Sequence, residues 1–466
     1  MPANSWSQTS VSREFEPLSS ILFGTDDEID AAETETDSTS YRGYAGRRRK
    51  AATILTAVWS GTILLHLVSW GTWLVLGLSS VVGIHLLRLL LKGRRAASAA
   101  TADVRSDNPP FISILVAAKD EEMVIESLVE VLCHLDYPSY EVWAIDDNST
   151  DNTPALLDRL AQEYPNLKVL HRGAGAGGGK SGALNQALRR SQGDIIAVFD
   201  ADARVSSDLL WRILPQFDRQ QVGAVQLRKE ITNPNVNFLT HGQSAEMALD
   251  AFFQQRRTGV NGIGELRGNG QFVRRKALES CGYFNEETIT DDLDLTFRLH
   301  LDGWDIGCVF SPTVGEEGVT DTVALWHQRS RWAEGGYQRY LDYWRLIAQK
   351  RMNPSKKIDL FVFAIVQYLL PTVALPDLLM ALARHRLPIF GPLTGVTVAL
   401  SFVGMFVGLR QMKARTGQTL SFWTTLGTAI SGTLYMMHWF AVIATTTVRM
   451  SVRRKQLKWV KTVHRG

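Results

Sequence analysis

The sequence predicts a mixed α/β protein: a Rossmann-like domain on a mostly parallel sheet, flanked by transmembrane helices. Three observations carry that expectation. Two apolar runs, roughly Ala51–Trp70 and Gly71–Leu91, each have about the ~20 residues that span a bilayer. From Phe111 onward, short β-branched runs bounded by turn residues alternate with stretches of helical spacing. Three further apolar segments, Ile358–Ala383, Pro388–Leu409 and Phe422–Val448, follow that alternation.

Taken in order, residues 1–50 form an acidic tail. Between Glu14 and Asp37 there are nine acids and no Lys or Arg, a composition that predicts disorder. The opening fifty residues are polar and acidic, so no signal peptide is expected. Residues 51–95 read as a transmembrane hairpin. Its outer flanks, Arg47-Arg48-Arg49-Lys50 and Arg88, Lys92, Arg94 and Arg95, are basic, which places both in the cytoplasm by the positive-inside rule. Trp59, Trp70 and Trp73 are expected near the membrane interfaces.

Asp107-Asn108-Pro109-Pro110 reads as a linker into a domain over residues 108–325. Phe111–Ala118, Glu141–Asp146, Lys168–His171 and Ile195–Asp200 are strand-like, while Glu122–Leu135, Thr153–Glu163 and Ser181–Arg190 have helical spacing. A β-α-β-α succession implies a parallel sheet whose ligands sit at the carboxyl ends of the strands. Residues 326–357 are aromatic and basic. Tyr337, Tyr340 and Trp344 share one helical face, so amphipathic helices lying in the membrane interface are expected there.

Residues 358–448 provide two or three spans, and 449–466 form a basic tail. After Asp377 there is no carboxylate, and the last eighteen residues carry seven Lys or Arg. Three spans after a cytosolic domain would put that tail outside, against the positive-inside rule. Ile358–Ala383 contains Pro371, Pro376 and Asp377, so it reads as broken, re-entrant or interfacial, leaving four or five spans open. The net charge of +3 gives no reason to expect a nucleic-acid partner. Cys133, Cys281 and Cys308 are widely spaced and form neither a zinc pattern nor a disulfide framework.

The acids fall where the sheet rule gives them meaning. Asp146-Asp147 directly follows a strand, where carboxylates accept from a uracil imide and ribose hydroxyls, or shape an Asx-type turn. Asp200-Ala201-Asp202 ends the next long apolar strand and is a compact oxygen donor for Mg²⁺ or Mn²⁺ beside a diphosphate, though such pairs also occur in solvated turns. GAGAGGGKS at 173–181 fails the P-loop pattern by one residue, Ala174 standing where Gly is required. It reads instead as a glycine loop entering a helix, with Lys180 facing a nucleotide or packing the domain. Thr290-Asp291-Asp292 opens a helical run, where acids are favoured by the helix dipole and Thr290 is a natural N-cap. The same position suits Asp292 as a general base. Gln328-Arg329-Ser330-Arg331-Trp332 offers an amide, guanidinium groups and an indole for a pyrophosphate and a sugar face, or an interfacial patch.

In this order and spacing, Asp146-Asp147, Lys180 with Gly182-Ala183-Leu184-Asn185, Asp200-Ala201-Asp202, Thr290-Asp291-Asp292 and Gln328-x-x-Arg331-Trp332 resemble the family 2 glycosyltransferases of the GT-A fold, over roughly Pro110–Leu341. The resemblance implies nucleotide-sugar contacts at Asp146, Asp147, Lys180 and Asp200, metal at Asp202 with Asp200, and a catalytic base at Asp292. It implies diphosphate or acceptor-edge contacts at Gln328, Arg331 and Trp332. Asp291 replaces the commoner glutamate of T-E-D, one methylene shorter.

A narrower likeness runs through the membrane segments, Gly264–Gln271 (GELRGNGQ), Trp332–Trp344 (WAEGGYQRYLDYW) and Leu457–His464 (LKWVKTVH). These are similar to cyanobacterial membrane glucosyltransferases that act on diacylglycerol. That likeness implies UDP-glucose as donor, 1,2-diacylglycerol as acceptor, Mg²⁺ or Mn²⁺ as metal, and a β-glucolipid that precedes galactolipids. It implies an integral protein of the plasma or thylakoid membrane with its catalytic domain in the cytosol, and it puts Asp291, Gly270, Gln271 and Trp332 on the acceptor side. Two other readings stand beside it: a processive polysaccharide synthase, which shares Q-x-x-R-W, and a catalytically silent membrane scaffold.

Overall fold

The computed structural model describes Leu18 and residues 45–92, 108–349, 352–415, 417 and 420–453. Most of the acidic tail, the whole 93–107 connection and the basic tail beyond 453 lie outside the described residues. Two helices, α1 (Arg47–Leu67) and α2 (Gly71–Lys92), form the expected hairpin. Gly71 is required at its turn, because a Cβ there would collide with the backbone of Leu65.

The domain that follows carries a seven-stranded sheet of order β3-β2-β1-β4-β6-β5-β7. The strands are β1 (Ile112–Ala118), β2 (Tyr140–Asp146), β3 (Leu167–His171), β4 (Ile195–Asp200), β5 (Val222–Ile231), β6 (Gln271–Arg274) and β7 (Asp305–Glu316). The first four match the sequence expectation to within one residue at each end. Only β6 is antiparallel to its neighbours, so β1, β2, β4, β5 and β7 all present their carboxyl ends along one edge. On one face of the sheet Ile112, Ile114 and Val116 pack with α3 (Ile125–Cys133) and α4 (Thr153–Glu163) through Leu128, Leu132 and Leu157. On the other, Leu115, Ile145 and Val198 pack with α5 (Gly179–Leu188) and α7 (Asp291–Leu301) through Leu184, Leu188 and Leu295. Side chains of β1 alternate between the two cores, the period-2 signature of a strand covered on both faces. Each fully buried Leu, Ile or Val contributes about 1.5–3 kcal/mol.

Between β5 and β6 lies α6 (Phe238–Gly259), started by a capping box in which Asn237 and Thr240 exchange hydrogen bonds. After β7 comes α8 (Thr322–Ala348), whose N-cap Asp321 accepts from the Val323 and Ala324 amides. The expected set of interfacial helices over 326–357 is largely this single long helix. Tyr343 and Arg339 are buried inside the protein, Tyr337 nearly so, while Trp344 faces outward. Aromatic and basic residues in α8 therefore pack against neighbouring helices as well as facing the surroundings.

Among the described residues, five helices are long and apolar enough to cross a membrane: α1, α2, α9 (Pro354–Ala383), α10 (Gly391–Arg415) and Phe422–Val452, the last divided at Met437 into α11 (Phe422–Met436) and α12 (His438–Val452). The sequence left Ile358–Ala383 as broken, re-entrant or interfacial, but α9 is continuous. Pro371 lacks an N–H and crowds the carbonyl of residue 367. A π-helical turn, Ile365–Leu369, lies immediately upstream. Asp377 is satisfied by His66 of α1 at 2.7 Å and by the Ile389 and Phe390 amides at 3.0 and 3.1 Å. A buried carboxylate with those partners is compatible with an apolar bundle.

The bundle is tied to the sheet domain by charge and by close approach. Arg47 of α1 pairs with Asp342 of α8 at 2.7 Å and donates to the Glu287 carbonyl at 3.1 Å. Part of the basic cluster read from the sequence as a cytoplasmic flank is thus bonded to α8. Gly408 of α10 rests on the Ala248 carbonyl of α6, where any side chain would intrude.

Candidate active site

The carboxyl edge of the sheet opens into a cavity of about 800 Å³. Asp147, Lys180, Asp200, Asp202, Asp291, Asp292, Gln328, Arg331 and Trp332 all line it. The chain thus brings nine of the expected positions together around one cavity.

Three of the expected positions lie elsewhere. Asp146 is buried behind the cavity; its carboxylate accepts from the Ser149 amide at 3.0 Å and pairs with His171 at 3.1 Å. It holds the turn that presents Asp147, which is the Asx-type alternative weighed above. Gly270 and Gln271 do not line the cavity. Gly270 adopts a positive φ of 71° as the chain enters β6, and Gln271 is fully buried within the sheet. Their neighbours Arg267 and Gly268 face the cavity instead.

The glycine loop is closed by Arg172, whose guanidinium binds the Asp147 carboxylate and the carbonyls of Gly177 and Gly179. Gly175, Gly178 and Gly179 have φ of 92°, 77° and 52°. A side chain at Gly178 would also meet the Glu286 carboxylate, so glycine is required there twice over. Lys180, in the first turn of α5, reaches Asp200 at 2.5 Å. Burial acts to lower the Lys180 pKa, but the charges of Asp200, Asp291 and Asp292 outweigh it and raise the pKa above the usual lysine range. Asn185 packs the domain: it bonds the backbone of Phe284 in both directions, at 2.8 and 3.0 Å.

Asp202 accepts from the Glu317 amide at 3.3 Å. Among the described residues no three His, Cys, Asp or Glu side chains converge on a metal site. Mg²⁺ characteristically binds through one or two carboxylates plus substrate phosphates and water, so Asp200 and Asp202 fit such an ion arriving with a diphosphate.

Thr290 occupies the N-cap position of α7 with extended backbone, yet its hydroxyl makes no capping bond. It is pressed against Gly335 of α8, where no Cβ would fit, and the next residue, Gly336, abuts the Tyr368 hydroxyl of α9 in the same way. The Gly335-Gly336 pair thus lets the Asp291-Asp292 turn and a membrane helix close on α8 from two sides. Asp292 lies against Gly268, with its backbone carbonyl accepting from Thr296. Burial raises the Asp292 pKa to about 6, helped by the Asp291 charge and opposed by the Leu293 amide, Lys229 and Lys180. Asp294, the third acid of the turn, points into the core, where Arg298 and Tyr343 hold it at 2.7 Å each.

In the Q-x-x-R-W segment, Gln328, Arg329, Arg331 and Trp332 all line the cavity, Arg329 at its buried wall. Arg329 is fully buried, pairs with Glu246 of α6 and lies 4.1 Å from the Trp332 ring centroid. Trp439 of α12 donates to the same Glu246 at 2.8 Å, so one buried ion pair links α6, α8 and α12.

Sequence reasoning missed Lys229, Arg172 and the Glu265 cluster. Lys229 pairs with Glu316 at 2.8 Å, sits 5.7 Å from the Trp332 ring and faces the cavity. Burial works to lower its pKa, and Glu316, Asp200 and Asp292 raise it on balance. A charged pair closing the apolar run Val222–Leu227 was the signal available. Glu265, fully buried, is met by Arg257, Arg267 and Arg339 at 3.2, 2.9 and 3.0 Å. Their charges overcome burial and hold its carboxyl well below the usual range.

The Glycosyl transferase family 2 profile matches residues 113–282. The β-monoglucosyldiacylglycerol synthase of Nostoc sp. is 57% identical over 469 residues, covering 100% of this chain and 99% of its own. The synthase of the same name from Synechocystis sp. is 52% identical over 471 residues, covering 100% and 97%. Among solved structures, the mannosyltransferase PcManGT from Pyrobaculum calidifontis, in complex with GDP-Man and Mn²⁺, aligns with 84% of this chain and 99% of its own at 23% identity and a TM-score of 0.49. With its sheet edge, its ordered acids and full-length identity of this degree, the chain belongs to the β-monoglucosyldiacylglycerol synthases of glycosyl transferase family 2.

Proposed function

We propose that this chain transfers glucose from UDP-glucose to the sn-3 hydroxyl of 1,2-diacylglycerol, with inversion, on the cytosolic face of the plasma or thylakoid membrane. The observation that carries the reading is Asp292, a carboxylate with a pKa raised to about 6, facing a cavity that continues from the sheet edge into the membrane bundle. Such a group is deprotonated near neutral pH yet basic enough to take a hydroxyl proton.

In this mechanism Asp147 and the Arg172-closed loop seat the uridine. Lys180 and Arg331 face the diphosphate, and Trp332, backed by Arg329, offers a ring to the sugar. Asp200 and Asp202 would hold Mg²⁺ or Mn²⁺, which supplies positive charge to a diphosphate leaving group. Asp292 accepts the proton as the acceptor oxygen forms its bond to the anomeric carbon. The opposite bond to the diphosphate breaks, and its electron pair leaves with UDP. Attack from the face opposite the leaving group converts an α-linked donor into a β-glucoside.

A cytosolic catalytic domain is supported by the basic flanks of the hairpin and by the Arg47–Asp342 bond at the base of α1. Arg449 of α12 also lies 3.8 Å from Glu334 of α8, a second charged contact between the bundle and the helix that carries Arg331 and Trp332. The functional test incubates purified full-length protein with UDP-glucose, UDP-galactose or UDP-N-acetylglucosamine, with and without diacylglycerol and Mg²⁺. Glucolipid from UDP-glucose alone, dependent on metal and lipid, is expected. Polymer formed without diacylglycerol would overturn the reading in favour of a polysaccharide synthase.

A further inference from the structure

The cavity does not end at Asp292. Its lining passes from the carboxylates to Leu86 of α2, Val366 of α9, Ser401 and Met405 of α10, and Phe440 of α12. These come from four of the apolar helices, so this part of the cavity lies between helices of the bundle. Protein interiors are close-packed, and an opening that continues between helices calls for an occupant.

Polar groups interrupt the lining in a few places, and three of them end without a partner. Arg257 is buried; its Nε bonds Asp359 at 2.7 Å and its Nη1 bonds Glu265 at 3.2 Å, while Nη2 has no acceptor. Gln367 Oε1 and Thr397 Oγ1 are likewise buried without a hydrogen bond. All three residues line the cavity. A buried polar atom left unsatisfied costs about 1–3 kcal/mol. Gln367 also sits in the π-helical turn Ile365–Leu369, a distortion found mainly at functional positions. Pro371 accounts for the turn, but it does not account for a glutamine within it.

We propose that, given the diacylglycerol transfer proposed above, the acceptor is held inside the bundle, with one acyl chain in the apolar half of the cavity and its two glycerol ester groups at Arg257, Gln367 and Thr397, leaving the sn-3 hydroxyl free to reach Asp292. Arg257 Nη2 is a donor for an ester carbonyl. Gln367, through its amide N–H, and Thr397, through its hydroxyl, can each donate to the second ester. The acyl chain replaces bilayer contacts with side-chain contacts, so entry from the membrane carries little hydrophobic penalty. The ester anchor then sets how far the sn-3 hydroxyl rises toward Asp292.

Two measurements on the full-length protein test this. Ser401→Trp fills the inner cavity. The kcat/KM for a dioleoyl acceptor is expected to fall by about tenfold or more, while that for a dihexanoyl acceptor changes by less than about threefold. Equal values for variant and wild type with both acceptors, or an equal fall with both, would overturn the proposal. Because a tryptophan can disturb packing, the wild type is also photolabelled with a diacylglycerol carrying a diazirine midway along one chain. Labelling within 362–370 or 397–405 is expected, and labelling confined to outward-facing residues of α8 would overturn the proposal. Wild-type glucolipid synthesis from both acceptors separates these outcomes from failure of the transfer reaction, in which no glucolipid forms with any acceptor.

Discussion

Asp291→Asn removes a like charge from beside Asp292 while leaving the enclosure of that carboxylate in place. The Asp292 pKa stands at about 6 against an ordinary value of 3.8, a preference for the neutral form worth about 3 kcal/mol. Burial is the larger cause and the Asp291 charge the second, with Lys229 and Lys180 pulling the other way. The Asp291 charge is therefore the smaller of the two upward influences, but one that a neutral amide would remove. A base works only when deprotonated, so kcat/KM for the acceptor should rise with pH through an acid limb near 6 in the wild type. In Asp291→Asn the limb should move to lower pH while staying above the ordinary aspartate value, because burial remains. The corresponding linkage has the opposite sense: stability contributed by the raised pKa is present below the unfolded-state value and is lost as pH rises through about 6. The assay is initial-rate glucolipid formation from radiolabelled UDP-glucose in detergent micelles, between pH 4.5 and 8.5. A wild-type limb at or below 5, a limb unmoved in Asp291→Asn, or wild-type turnover by Asp292→Asn would refute the assignment of Asp292 as base.

Chelation with EDTA should abolish transfer and Mg²⁺ or Mn²⁺ should restore it, whereas Asp202→Asn should lower kcat by about 10²-fold at any metal concentration; full activity in EDTA would exclude the metal role. Arg329→Ala strands the Glu246 carboxylate between α6 and α12, and should cost about 3–5 kcal/mol in thermal unfolding of the solubilised protein. A change of less than about 1 kcal/mol would show that the pair does not hold the bundle to the sheet domain. Gly335→Val pushes Thr290 away from α8 and should displace the Asp291-Asp292 turn. Transfer should drop by about 10²-fold, while a catalytic rate equal to wild type would show that the close approach has no part in placing Asp292.

The early strands were legible because β1, β2, β3 and β4 are short apolar runs ended by turn residues, and a parallel sheet must put their carboxyl ends together. Asp147, Asp200 and Asp202 followed from that rule. The later strands were not: β6 has four residues, and β5 runs on past its apolar stretch into Arg228-Lys229-Glu230. Asp146 and Asp147 are adjacent and chemically alike, yet only packing turns one into the cavity and the other onto Ser149. Asp292 is a similar case. An acid in a first helical turn is expected for its dipole alone, and its raised pKa arises from Asp291 and from enclosure by segments distant in the chain.

By itself, the sequence determined the α/β alternation, the apolar helices, the order of acids along the sheet edge and the family. These depend on local periodicity and residue type, which the chain carries in linear form. Only the tertiary structure decided which carboxylates share the cavity, that Gly335 and Gly336 admit their neighbours, and that the cavity runs on between α2, α9, α10 and α12. Those features depend on through-space distance and excluded volume. Leu86 and Phe440 stand on the same cavity though about three-quarters of the chain separates them, and no linear pattern records that they meet.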